Sequence, residues 1–109
     1  MAKGSETHYL AFEVGQGIKA IGAHLERCRL ARGDTLQTVA ERCGVHAQTI
    51  SRIEKGDPTV AIGKVFSLLH LYGQVNRVFD LAKTDEATAI LYQRMLPSRG
   101  RRTSGSASA

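Results

Sequence analysis

Residues 36–55 read LQTVAERCGVHAQTISRIEK. In the first half of this stretch Leu36, Val39, Ala40 and Cys43 recur at i, i+3, i+4 and i+7, the spacing that lines one face of an α-helix, and Gly44 ends the run. Asp34 or Thr35 stands where a side-chain oxygen can cap the unpaired N–H groups of that helix. A second helix, from His46 to Lys55, turns Ile50 and Ile53 inward and stops at Gly56, before the turn-forming pair Asp57 and Pro58. Two helices joined so tightly must cross steeply. The crossing demands a small residue where the backbones approach, a residue tolerant of positive φ at the turn, and a branched apolar residue to fill the angle. Ala40, Gly44 and Ile50 meet these demands, with Val39, Val45 and Ile53 completing the core.

The spacing from Ala40 to Gly44 and on to Ile50 is that of a helix-turn-helix, and helical periodicity continues on both sides of it. Ile18, Ile21, Leu25 and Cys28 make the stripe of a preceding helix closed by Gly33. Thr59 is placed to cap a fourth helix with Ile62, Val65, Phe66 and Leu69 on one face, ending at Gly73. Val75, Val78, Phe79 and Ala82 suggest a fifth, and Thr84, Asp85 and Glu86 open a sixth whose stripe is Ala87, Ile90, Leu91 and Met95, ending before Pro97. No β alternation is visible. The fold class expected is all-α, a compact bundle of five or six short helices. Residues 1–16, interrupted by Gly4, Gly15 and Gly17, are expected to be a loosely ordered arm. Residues 17–83 hold the helix-turn-helix domain and 84–97 a helical extension. The tail 98–109, SRGRRTSGSASA, is expected to be disordered, because it has no large apolar residue to offset ordering entropy.

A chain of 109 residues allows one small domain with tails. Fifteen Lys and Arg against ten Asp and Glu leave a net charge of +5, which leans slightly toward a polyanionic partner. Two cysteines, Cys28 and Cys43, are too few for a disulfide framework and suit a reducing cytoplasm. The start, MAKGSETHY, lacks the apolar core of a signal peptide, and the longest charge-free stretch, 65–76, is too short and too polar to span a membrane, so a cytoplasmic protein without membrane attachment is expected. Cys43 and His46 form C-x-x-H, but Cys28, His8, His24 and His70 supply no matching pair at ligand spacing, so structural thiols are expected and no metal. No nucleophile–base order, glycine-rich phosphate loop or paired carboxylates stand out. Neither an enzyme nor a cofactor is expected.

The segment RLARGDTLQTVAERCGVHAQTISRIEKGDP resembles the Xre type of DNA-binding domain, the family of the phage lambda repressor and Cro, over about residues 18–82. The resemblance implies that an Arg late in the first helix pairs with a Glu late in the recognition helix, and Arg29 and Glu54 occupy those places. It also implies that the second helix of the motif enters the major groove. With Val45, Ile50 and Ile53 inward, the face left for DNA is His46, Ala47, Gln48, Thr49, Ser51, Arg52 and Lys55. Gln48 suits adenine, Arg52 suits guanine or a phosphate, and Ala47 or the Thr49 methyl suits the thymine methyl. Thr35, Gln37 and Thr38, at the start of the motif's first helix, are placed to hold phosphate. Leu36 departs from the family's usual Gln, and His46 from its usual Ser or Thr cap.

One recognition helix reads few base pairs, so a homodimer on an inverted-repeat operator in double-stranded DNA is expected. The simplest action is steric repression. Phe66, Tyr72, Phe79, Ile90, Leu91 and Tyr92 are expected to be mostly core, with a surplus forming a dimer seam. The segment GDPTVAIGKVFSLLHLYGQVNRVFDLA with its extension ending in LPSRGRR is similar to HipB-like antitoxins, which accompany HipA-type kinase toxins. That similarity implies an autorepressor that also binds a toxin. A solitary or phage-type repressor, a restriction-modification controller and a protein-interaction adaptor are the other readings.

Overall fold

The computed structural model describes residues 10–97. They form six helices: α1 (Phe12–Ala31), α2 (Leu36–Cys43), α3 (Ala47–Glu54), α4 (Ile62–Leu71), α5 (Val75–Ala82) and α6 (Glu86–Met95). There is no strand among the described residues, and the fold is the all-α one that the periodicity predicts. Two compact units divide between Asn76 and Arg77, inside α5 and ahead of the boundary that the sequence suggested after residue 83. Residues 1–9 of the expected arm and all of the expected tail, 98–109, lie outside the described residues.

The first unit is built on Leu25, Cys28, Val39, Val45, Ile50, Ile53, Leu68 and Tyr72, all buried, with Leu36, Ala40, Cys43, Val60, Val65, Leu69 and Leu71 packed against them. Local chemistry sets the elbow between α2 and α3. Thr35 caps α2, its hydroxyl accepting from the Thr38 N–H at 3.1 Å, an interaction worth about 1 kcal/mol. Gly44 ends the helix at φ 71°, in the left-handed region where a Cβ would be strained, and its N–H closes on the Ala40 carbonyl at 2.9 Å. Val45 follows directly into the core, and His46 precedes α3 without a side-chain cap, its carbonyl accepting from the Ile50 N–H at 3.0 Å.

Three local expectations need correction. The helix α1 starts at Phe12, so residues 12–16 are not a loose arm and Gly15 and Gly17 lie inside a continuous helix. An interior glycine costs roughly 0.5–1 kcal/mol, which cooperative propagation along a long helix absorbs. The inward register of α1 is Gly22, Leu25 and Cys28, whereas Ile21 is half exposed. The cause is the close passage of the end of α3. A Cβ on Gly22 would stand 2.8 Å from the Glu54 carbonyl oxygen and closer still to that of Ile53, so the contact admits only a residue without a side chain. The third correction concerns α4, which is preceded by Ala61 and not capped by Thr59, whose hydroxyl is engaged in the α3–α4 loop. Its buried position is Leu68, flanked by Val65 and Leu69, while Ile62 projects 71% exposed and Phe66 is also exposed.

In the second unit Asp85 caps α6, accepting from the Thr88 N–H at 3.1 Å. The expected stripe of α6 is not buried: Ile90, Leu91 and Met95 are exposed, as are Tyr92 and Phe79. Of the six large apolar residues assigned mostly to a core, Tyr72 alone is buried. The described part of this unit holds the end of α5 and one helix of ten residues, too little chain to enclose a core of its own.

One ion pair ties α1 to the far end of α3. Arg29 donates through Nε to Glu54 Oε2 at 2.8 Å and through Nη2 to Glu54 Oε1 at 3.0 Å, while Nη1 reaches the Asp34 carbonyl at 3.1 Å. The side chains are only 12% and 6% exposed in residues that are partly buried as a whole, and the hydrogen bond to Glu54 raises the Arg29 pKa above its ordinary value. Removing one partner leaves the other charge unpaired and largely shielded from water. Arg29→Met is expected to destabilise the protein by about 3–5 kcal/mol, and Arg29→Met with Glu54→Leu to recover most of that loss, as read by urea denaturation.

Candidate nucleic-acid interface

The helix α3 is short and two-faced. Ile50 and Ile53 face the core, and Val45 anchors the turn before it. On the other side His46, Gln48, Arg52 and Lys55 are exposed, with Ala47, Thr49 and Ser51 half-buried between the two faces. Of the seven residues expected around the recognition helix, four thus lie on the exposed surface and three are half-buried beside it. That surface carries an amide, hydroxyls, a guanidinium and an ammonium, the donor and acceptor set that reads base edges and phosphates.

The start of α2 contributes Thr35 and Gln37, both exposed. Their side chains already have intramolecular work. Thr35 Oγ1 accepts from the Thr38 N–H and lies 3.0 Å from Thr38 Oγ1, so its position is set by the cap. Gln37 Nε2 donates to Glu41 Oε2 at 3.4 Å, a long and exposed bond.

Arg52 is held in a way the sequence did not foretell. Its Nε donates to Asp57 Oδ2 at 2.8 Å and its Nη2 to Thr59 Oγ1 at 2.9 Å. Thr59 in turn donates to Asp57 Oδ1 through its hydroxyl at 2.6 Å and its backbone N–H at 2.8 Å. In sequence Asp57 is a turn former and Thr59 a candidate helix cap. The available signal is the juxtaposition of an acid and a hydroxyl a few residues after Arg52, but only folding back of the loop makes it a contact.

These bonds hold the Asp57 carboxyl down to about 2, chiefly through the Thr59 hydroxyl and N–H and then through Arg52. A carboxylate with a depressed pKa contributes stability above its unfolded value that is lost as pH falls toward the folded one. The advantage in Tm of the wild type over Asp57→Asn is therefore expected to hold steady at neutral pH and to shrink between roughly pH 4 and 2. Thermal melts of both proteins across pH 2–7 check it, and a gap independent of pH would refute the role given to these bonds.

No helix of the described residues is long and apolar enough to cross a membrane. A family model described as a helix-turn-helix domain matches residues 20–78, more than half of the chain. Neither a search of curated proteins nor one of solved structures found a match. The matched span contains the elbow at Gly44, the Arg29–Glu54 pair and the whole polar face of α3. The chain therefore belongs to the helix-turn-helix domain family and is a DNA-binding protein of that class.

Proposed function

We propose that the protein is a sequence-specific transcriptional regulator of the Xre type, a dimeric repressor that reads an inverted repeat in double-stranded DNA through α3. The observation that carries this reading is the exposed face of Gln48, Arg52 and Lys55 on a helix whose opposite face, Ile50 and Ile53, is locked into the core. It acts as a binding module and not as an enzyme. Repression follows from occupancy of the operator. Two half-sites about one helical turn, roughly 34 Å, apart would give two copies the specificity that one helix lacks.

Within this reading the protein serves as a HipB-like antitoxin that represses its own operon and binds a HipA-like kinase toxin. What supports a second protein contact is the exposed apolar set on α6, Ile90, Leu91, Tyr92 and Met95. The free thiols of Cys28 and Cys43 suit a cytoplasmic setting. A solitary repressor of the same type has the same DNA-reading face and lacks the toxin, so a stable complex with a kinase encoded beside the gene separates the two.

Selection of bound duplexes from a random pool by the purified protein tests the main reading, with a symmetric enriched site as the expected result. A groove binder that neutralises about six phosphates is expected to lose on the order of 10³-fold affinity between about 50 and 200 mM salt, whereas an adaptor with an apolar protein interface would hardly respond. Gln48→Ala is expected to cost operator affinity by about 1–3 kcal/mol while leaving thermal stability nearly unchanged. Titration of the selected duplex and a parallel melt measure both.

A further inference from the structure

We propose that Asp57 and Thr59 are specificity-determining positioning residues: together they hold the Nε and Nη2 side of the Arg52 guanidinium, so that its terminal Nη1 and Nη2 edge is presented to a guanine. The inference rests on the DNA-binding role of α3 and adds to it a second, non-contacting pair of residues in the α3–α4 loop.

The hydrogen bonds form a closed ring. The Asp57 carboxylate accepts from Arg52 Nε on Oδ2 and from the Thr59 hydroxyl on Oδ1, and the oxygen of that hydroxyl accepts from Arg52 Nη2. Because the Thr59 proton is committed to Asp57, its lone pairs are turned toward the arginine. The backbone N–H of Thr59 also donates to Asp57 Oδ1, so the acid is placed by the main chain and not by the arginine it holds. A guanidinium has five N–H groups in a rigid plane. The ring uses one on Nε and one on Nη2, which fixes the plane and leaves the end-on pair of donors for a partner with two acceptors. Guanine offers such a pair in O6 and N7.

Two physical consequences favour base reading over phosphate clamping. Arg52 carries much rotamer freedom when unrestrained, and a side chain already held loses less on binding. The adjacent Asp57 charge offsets that of Arg52 and weakens its long-range pull on phosphates, while short directional bonds to a base edge keep their strength. Arg52 remains half exposed, so its free edge is accessible. Lys55, a point charge at the C-terminal cap of α3, is exposed and is the better phosphate contact.

The test is duplex selection from a random pool with the full chain as wild type, Thr59→Val, Thr59→Ser and Asp57→Ala, each with a thermal melt. Thr59 is exposed, so Thr59→Val keeps the shape of the side chain and removes the hydroxyl without opening a cavity. The wild type is expected to prefer guanine at one position of each half-site by roughly 5- to 150-fold, the range of a good bidentate pair. Thr59→Val and Asp57→Ala are expected to flatten that position about tenfold while other positions keep their preferences, and Thr59→Ser to restore it. Asp57→Ala is expected to melt lower on either account, so the pattern across positions decides: a purely structural loop would weaken all positions together, and that result would overturn the inference. An unchanged guanine preference in folded Thr59→Val and Asp57→Ala would overturn the inference and leave the DNA reading standing. A wild type that enriches no sequence would overturn both.

Discussion

The structure turns on the partly buried ion pair of Arg29 and Glu54. It joins the last turn of α1 to the last turn of α3, and the third arm of the guanidinium reaches the Asp34 carbonyl in the turn that leads into α2. Three consecutive elements are thus referred to one planar group. A bidentate guanidinium–carboxylate contact is directional as well as attractive, so it restrains the angle of α3 and not only its distance. Gly22 works in the same place: by offering no Cβ it lets the carbonyls of Ile53 and Glu54 lie against α1. The pair's value is geometric, since an apolar replacement of both partners would bury as well.

That arrangement lets a helix of eight residues serve two opposed needs. Ile50 and Ile53 are removed from water, and the polar residues of α3 are left outside. A short helix has little intrinsic stability, so its conformation is borrowed from packing on one side. Its other side can then be chosen for recognition with small effect on the fold. The α3–α4 loop adds rigidity on this outer side, where Asp57 and Thr59 occupy the guanidinium of Arg52.

The two units differ in how they satisfy their apolar residues. The first closes a core around Leu25, Val39, Ile50 and Leu68, each fully buried. The second leaves Leu91, Tyr92 and Met95 exposed on α6. Periodicity in a sequence reports that one face of a helix is apolar. It does not report whether the covering surface belongs to the same chain, which is why the stripe of α6 suggests core with a seam in sequence and is exposed in the structure.

Most of the site was legible without coordinates because its determinants are local. The i, i+3, i+4 spacing of α2, the cap at Thr35, the left-handed turn at Gly44 and the inward Ile50 each act within about one helical turn, and together they dictate the elbow and hence which side of α3 is polar. The pairing of Arg29 with Glu54 was legible only through family resemblance. Tertiary structure alone decided that Gly22 and not Ile21 faces α3, that Thr59 leaves the start of α4 to join Asp57, and that Arg52 is held by both. The physical reason is range: caps and periodicity are settled by neighbours along the chain, whereas the partner of a long side chain depends on how two helices cross and where the loop between them returns.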